Sequence, residues 1–372
     1  SGPIVGPYPL NPEIVYIFYV NGGSYTSIWP NLKYAVFDVS SNQVSPPQQL
    51  DTSVYYLDMK IDNNKDRHLV YVKSLPSPIT PTHIIKYQKN PPYGAVELVP
   101  LPFNSFILGV AIAVDNNNRP YVVYVKNESL YDRIYLTKKI SGIWTIPQLV
   151  YTTPINTNIA LGAEGIDIDI DLNNDIHISF IEYINLLSSF ILNHLVVMPS
   201  GAINLNIVDQ VFTAGSYLLS SPNIDLNDAG VPYFTYRKYT MAGGVGNIFY
   251  SYLLGTPNLV ASGFFSDIHT ISSGSSTMIM IPVTSYGLNQ INLLVSGDNG
   301  NSWNQVPIDS GVNIGEPAIN KYSLSPGLVY FYIGYSKSGG GLYLAYNAGT
   351  GIQIRQIDPN GGFNIRLEGE FG

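Results

Sequence analysis

Ile112-Ala-Val-Asp-Asn-Asn-Asn-Arg-Pro-Tyr-Val-Val-Tyr-Val125 decides the fold. An apolar run stops at an Asp/Asn cluster, and a proline opens a second run of β-branched and aromatic residues. That is the pattern of two strands joined by a tight turn. The unit recurs: Met59-Lys-Ile-Asp-Asn-Asn64 leads to Val72, Ile168-Asp-Ile-Asp-Leu-Asn173 to Ile181, and Asn223-Ile-Asp-Leu-Asn-Asp228 to Tyr236. With Asp62, Asp115, Asp171 and Asp225 taken as the residues that open the turns, the copies lie 53, 56 and 54 residues apart. A period near 50 residues built only of strands and turns predicts an all-β fold, a β-propeller.

Extended outward, the third blade reads Val110–Val114, Pro120–Val125, Arg133–Lys138 and a short outer strand ending at Val150. Flanking runs such as Val15–Val20, Met278–Val283 and Leu328–Ile333 add further blades. The count comes to seven four-stranded blades, with six or eight left open. Phe363–Leu367 is the candidate strand to close the ring against the N-terminal part, which would remove exposed edges. Residues 1–12 (SGPIVGPYPLNP) read as a tether from a preceding domain or a frayed terminus, and 13–372 as a single propeller domain. No stretch keeps a 3.6-residue period, so almost no helix is expected.

Composition narrows the function classes. Only 12% of the 372 residues are charged, against about 25% in ordinary soluble proteins. Tyrosine reaches 29 residues and cysteine none. Net charge −8 without a basic cluster argues against nucleic acid. No run approaches the roughly 18 apolar residues of a membrane-spanning helix, and thiol chemistry is absent. The low charge predicts a surface of hydroxyls, amides and aromatic edges.

Ser296-Gly-Asp-Asn-Gly-Asn-Ser-Trp303 resembles the Asp-box of sialidases and related propeller proteins. The resemblance implies a hairpin between the third and fourth strands of a blade. In it Asp298 accepts bonds from turn amides, Gly300 supplies positive φ, and Trp303 packs back between strands. In that family the box lies on the side away from the active site, so it implies fold and not catalysis. Ser141-Gly-Ile-Trp144 is a degraded copy. Asp171 to Ser179 and Asp62 to Val70 resemble in part a D-x-x-G-x-P-H-I-S-Y repeat of bacterial and archaeal secreted propellers. His68 and His177 then share one repeat position, six after the aspartate, which favours a structural role.

Three carboxylates, Asp167, Asp169 and Asp171, alternate with isoleucines and so share one face of an inner strand. Aligned on the turn aspartates, Lys60, Ala113, Asp169 and Asn223 form one level of the axis, and Asp58, Ala111, Asp167 and Ser221 another. Asp58, Asp167 and Asp169 are candidate oxygen ligands for Ca²⁺; the alternative is a solvated channel balanced by Lys60. Sialidase chemistry, which grips a carboxylate with three arginines, fits poorly. The chain has six, and Arg67 and Arg119 fall on the Asp-box side. Glu164, Glu182 and Asp132 could form a glycosidase pair, but nothing compels it, and no catalytic residue is assigned.

The loops opposite the Asp-box carry Phe103, Phe106, Tyr131, Leu187, Phe190, Tyr217, Tyr239 and Tyr286 among Asn, Ser and Gly. Such a mixture can stack on sugar rings or anchor a protein. The expected function is an extracellular, cell-surface or virion-surface attachment domain that binds a glycan or protein receptor through this face, as part of a larger protein or assembly. A binding role is favoured over an enzymatic one. The alternatives are a polysaccharide-acting hydrolase or lyase, and an architectural coat subunit. Composition also resembles proteins on the exterior of thermoacidophilic archaea and the spikes of their viruses; few charges would limit the swing in self-repulsion as carboxylates neutralise. Asn127-Glu-Ser129 is the only glycosylation sequon.

Overall fold

The computed structural model describes every residue except 1–11, 22–29, 76–81, 103–105, 129, 156, 160–164, 213–216, 241–245, 253–254, 264–266, 274–275, 286–288, 312–313, 316, 326–327, 338–340, 348–350, 361–362 and 372. Among the described residues the regular elements are all strands. They form six hydrogen-bonded sheets. Four of these have four strands in simple chain order, with inner strands Val54–Ile61, Tyr217–Leu226, His269–Ser273 and Ala318–Ser325. Each is named below by its first residue.

The terminal sheet pairs Phe363–Phe371 antiparallel with Pro12–Asn21, which in turn pairs with Asn31–Asp38. The predicted closing strand therefore exists and is longer than Phe363–Leu367. The sixth sheet has ten strands. One half begins at Phe106–Val114 and the other at Ile166–Ile170. The short strand Thr157–Ile159 joins them, pairing in parallel with Tyr131–Ile140 and antiparallel with Ile176–Ile184. Five sheets are thus separate blades, and the expected seven separate blades are not found. The cause is the crossing segment, whose extended backbone bonds to both neighbours. Asp132 anchors it by accepting the Ile159 N–H at 2.7 Å.

The inner strands touch in a closed circuit: Val54–Ile61, Phe106–Val114, Ile166–Ile170, Tyr217–Leu226, His269–Ser273, Ala318–Ser325, Phe363–Phe371 and back to the first. The architecture is a β-propeller. Its core is divided into apolar clusters that lie between adjacent sheets or, in one case, between the two halves of the ten-stranded sheet; Val70, Val72, Ile85 and Tyr87 face Val110, Ile112, Val122 and Tyr124. Tyr19, Tyr71, Tyr124, Tyr236 and Tyr335 are all less than 2% exposed. Much of the tyrosine is therefore core and not surface, each ring contributing about 1.5–3 kcal/mol on burial.

Three of the four turns follow the sequence reading. Asp62 Oδ1 accepts the N–H groups of Asn64 and Asp66, both at 2.9 Å. Asp115 does the same for Asn117 and Arg119, and Asp171 for Asn173 and Asp175. In the fourth unit the turn opens on Asn227, whose Oδ1 accepts from Ala229 at 3.0 Å and Val231 at 2.9 Å. Asp225 lies two residues earlier, inside the inner strand. That moves Asp225 to the level of Asp169, and Asn223 to the level of Asp167.

The Ser296–Trp303 turn joins the third and fourth strands of the His269 sheet. Asp298 accepts the Ser302 N–H at 2.9 Å and its hydroxyl at 2.6 Å, while Gly300 sits at φ +84°. Trp303 packs on the apolar cluster shared by its own sheet and the preceding one. It meets Tyr250 of the preceding sheet edge-on at 5.5 Å, as Trp144 meets Tyr87 at 5.1 Å.

Candidate functional site

Two regions collect polar and aromatic groups: the axis and the sheet ends where the inner strands begin. At the axis the carboxylates act as clasps between neighbouring inner strands. Asp58 accepts the Ile112 N–H at 2.8 Å, Asp167 that of Ile224 at 2.9 Å, and Asp169 that of Leu226 at 3.0 Å. Asp225 accepts from Thr270 N–H at 2.5 Å and Asp267 from Ile319 N–H at 3.1 Å. Every clasp therefore runs from one blade edge to the next along the chain.

Lys60 supplies the compensating charge. Burial works against its ammonium, but Asp169, Asp167, Asp225 and Asp58 outweigh that and hold it charged well above the ordinary lysine range. Burial pushes the Asp167 carboxyl up to about 7 despite Lys60, and raises Asp169 likewise. Asp58, Asp167 and Asp169, the candidate Ca²⁺ ligands, are engaged with protein groups at the axis. A carboxylate oxygen of each is taken up by a neighbouring amide, and among the described residues no group of three or more His, Asp or Glu is arranged to hold a metal. The alternative reading, with Lys60 balancing the carboxylates, describes the axis better.

Phe106, Tyr131, Leu187, Phe190, Tyr217 and Tyr239 lie at or beside strand ends opposite the Asp62-type turns and the Ser296 turn. Phe106 opens its inner strand and is 41% exposed; its ring stacks on His83 at 4.6 Å. Tyr131 lies under the Arg133 guanidinium at 4.8 Å, and Tyr239 under Arg237 at 4.2 Å. Leu187 is exposed, whereas Phe190 packs against Tyr183 at 4.6 Å and into the core. Tyr217 opens an inner strand. Phe103, Met241, Tyr286 and Glu164 lie outside the described residues. Asp132 and Glu182 are buried and occupied. Asp132 accepts from Ile159 and Asn127, and Glu182 from Tyr151 at 2.8 Å and Asn193 at 2.7 Å.

Sequence reasoning missed His83 and Tyr55. The His83 Nδ1 is 3.0 Å from both the N and O of Ile107, and its ring lies between Phe106 and Tyr55, with Tyr55 at 6.0 Å. Burial lowers its pKa, so the ring is neutral near pH 7. The lone histidine in Thr82-His83-Ile84 gave no signal, because its partners come from the next blade.

A second pattern was also missed. The second strand of several blades carries Tyr-x-Lys, and a carboxylate on the outer strand of the preceding blade receives both groups. Asp51 meets Tyr71 and Lys73, Asp209 meets Tyr236 and Lys238, and Asp309 meets Tyr335 and Lys337. Asp358 takes Tyr19 at 2.6 Å and Asn21 at 3.3 Å.

Among the described side chains the arginines do not converge. Arg67 stacks on Tyr16 at 3.8 Å, Arg119 pairs with Asp115 on the turn side, and Arg355 bonds Asn42 at 2.7 Å.

No protein-family model matches the chain, and no curated protein matches it in sequence. Solved structures do match. An α-L-arabinanase of Penicillium chrysogenum aligns with TM-score 0.58 at 9% identity, over 95% of this chain and 98% of that one. The polysaccharide lyase Uly1 aligns with TM-score 0.53 at 10% identity, over 96% and 92%. The Hadza microbial sialidase Hz136 aligns with TM-score 0.51 at 10% identity, over 91% and 89%. At such identities the likeness establishes the propeller fold.

Proposed function

We propose that the protein engages a polysaccharide across the loop face and acts on it there. One observation carries this reading: the Tyr55–His83–Phe106 stack, a partly exposed platform holding a neutral imidazole on the face where the inner strands begin. Aromatic rings suit the apolar faces of sugars, and an imidazole among them suits proton transfer. The carbohydrate-active enzymes among the structural neighbours support the same direction through the fold alone. The reading includes a ring of seven blades, the ten-stranded sheet being two blades bridged by Thr157–Ile159, and an Asp-box in the Ser296–Trp303 turn. It places the protein outside the cell.

A second reading, attachment without turnover, is favoured by the carboxylates. The axial aspartates clasp strands, and Asp132 and Glu182 are buried in hydrogen bonds to Ile159, Asn127, Tyr151 and Asn193, which takes up the carboxylates considered for a glycosidase pair. The test is incubation with a panel of neutral and acidic polysaccharides, followed by assay of reducing ends and of ultraviolet absorbance from unsaturated sugars. Product formation that is lost in His83→Ala supports the enzyme. Retention on immobilised polysaccharide without product supports attachment, and neither outcome overturns the polysaccharide reading.

A further inference from the structure

The Tyr-x-Lys latch is broken at one junction in an informative way. In the half-sheet that begins at Phe106, Tyr124 and Lys126 occupy the positions of Tyr71 and Lys73, of Tyr236 and Lys238, and of Tyr335 and Lys337. Each of those three lysines meets an aspartate from the blade before. At this junction the preceding outer strand, Val96–Val99, runs on into Pro100 and Leu101. Leu101 packs against the cluster that holds Tyr124, and the Tyr124 hydroxyl reaches only the Pro100 carbonyl, at 3.5 Å. The latch carboxylate has been replaced by an apolar residue while the cation has stayed.

Lys126 turns instead to Glu128 at 3.1 Å, and Arg133 meets the same carboxylate through its other oxygen at 3.0 Å. Two cations share one anion, so this junction carries an excess positive charge on a chain of net charge −8. The three side chains are only 12%, 29% and 22% exposed for Lys126, Arg133 and Glu128, so their field is weakly screened. The group adjoins the aromatic platform directly. Lys126 is the register partner of Ile107, the residue whose main chain contacts His83, and Phe106 is the next residue along.

We infer that the junction between the Val54 sheet and the Phe106 half-sheet is a subsite for an anionic sugar: its ring lies on Phe106 and Tyr55, and its carboxylate or sulfate meets Lys126 and Arg133. This rests on the polysaccharide reading and narrows it to a substrate class. A guanidinium and an ammonium side by side suit such an oxyanion, and displacement of Glu128 from one of them supplies the donors.

The test is affinity electrophoresis of the whole chain through gels containing polygalacturonate, dextran sulfate, carboxyl-reduced polygalacturonate or dextran. Retardation is expected with at least one anionic polymer and not with its neutral counterpart, and it should weaken as salt rises. Lys126→Gln and Arg133→Gln are each expected to lower affinity about tenfold, and Arg133→Lys to restore part of it. Polygalacturonate alone would assign a carboxylate, and dextran sulfate alone a sulfate. Equal retardation by charged and neutral polymers overturns the inference but leaves the polysaccharide reading standing. Retardation by an anionic polymer that both Gln variants retain in full, with unchanged melting, overturns the assignment to this junction. No retardation by any polymer overturns both.

Discussion

His194 makes the fold acid-sensitive by a calculable amount. Its ring is 3% exposed, stacked on His177 with centroids 5.1 Å apart, and capped edge-on by Phe234 at the same distance. Its Nε2 lies 3.0 Å from the His177 Nδ1. Burial and then the neighbouring histidine push its pKa down from 6.5 to about 3. A base whose folded pKa is depressed stays neutral in the fold while the unfolded chain takes up a proton. Its stabilising contribution is therefore complete above pH 6.5 and is lost as pH falls towards 3. At pH 5 the unfolded chain gains about 2 kcal/mol from protonating this one group, rising to roughly 4–5 kcal/mol below pH 3. His194→Gln keeps a hydrogen-bonding amide and removes the titration. Urea unfolding at pH 8 and pH 5 should show the variant losing about 2 kcal/mol less than the parent between the two conditions. An identical loss in both proteins would refute the assignment of this proton to His194.

Tyr236→Phe removes the hydroxyl that bonds Asp209 at 2.7 Å and leaves the carboxylate with Lys238 and the Gln210 N–H; a loss of about 1.5–3 kcal/mol in urea unfolding is expected. Lys60→Met leaves the axial carboxylates uncompensated, costing about 3–5 kcal/mol at pH 8, and less below pH 7 as the raised Asp167 takes a proton, checked by melting temperature across that range. Gly300→Ala meets two obstacles, a φ of +84° and a new methyl driven into the Tyr250 ring, and should lower the melting temperature with a loss of about 1–3 kcal/mol. His68, His83 and His177 are depressed by burial as His194 is, so substituting any of them should also flatten the acid limb of the stability curve.

The propeller was legible because its turns are local: Asp62, Asp115 and Asp171 each bond amides two and four residues on, and that geometry leaves a fixed spelling in the chain. The fourth turn was misplaced for a local reason as well. Asp225 and Asn227 lie two apart on an alternating strand, so a shift between them preserves the inward face and leaves the pattern intact. Contacts between blades were not legible. Asp51 and Lys86 are 35 residues apart, and Asp358 meets Tyr19 across almost the whole chain. For the aromatic loop residues composition could not say which would be exposed. Phe106 is, whereas Phe190 is packed under Tyr183. His83 went unseen because the rings around it come from Val54–Ile61 and from the following blade. Buried tyrosines such as Tyr19, Tyr71, Tyr236 and Tyr335 were misread as surface because their hydroxyls find partners in a neighbouring sheet.

The pairing of Phe363–Phe371 with Pro12–Asn21 has a consequence for biosynthesis. During translation Pro12–Asn21 emerges long before the strand that completes its sheet, and Val15, Ile17 and Tyr19 must wait beside an unpaired edge until Phe363–Phe371 has left the ribosome. A nascent chain in that condition is a target for chaperones and for mispairing with another copy. A pause just before Phe363–Phe371 is made would therefore prolong the vulnerable interval.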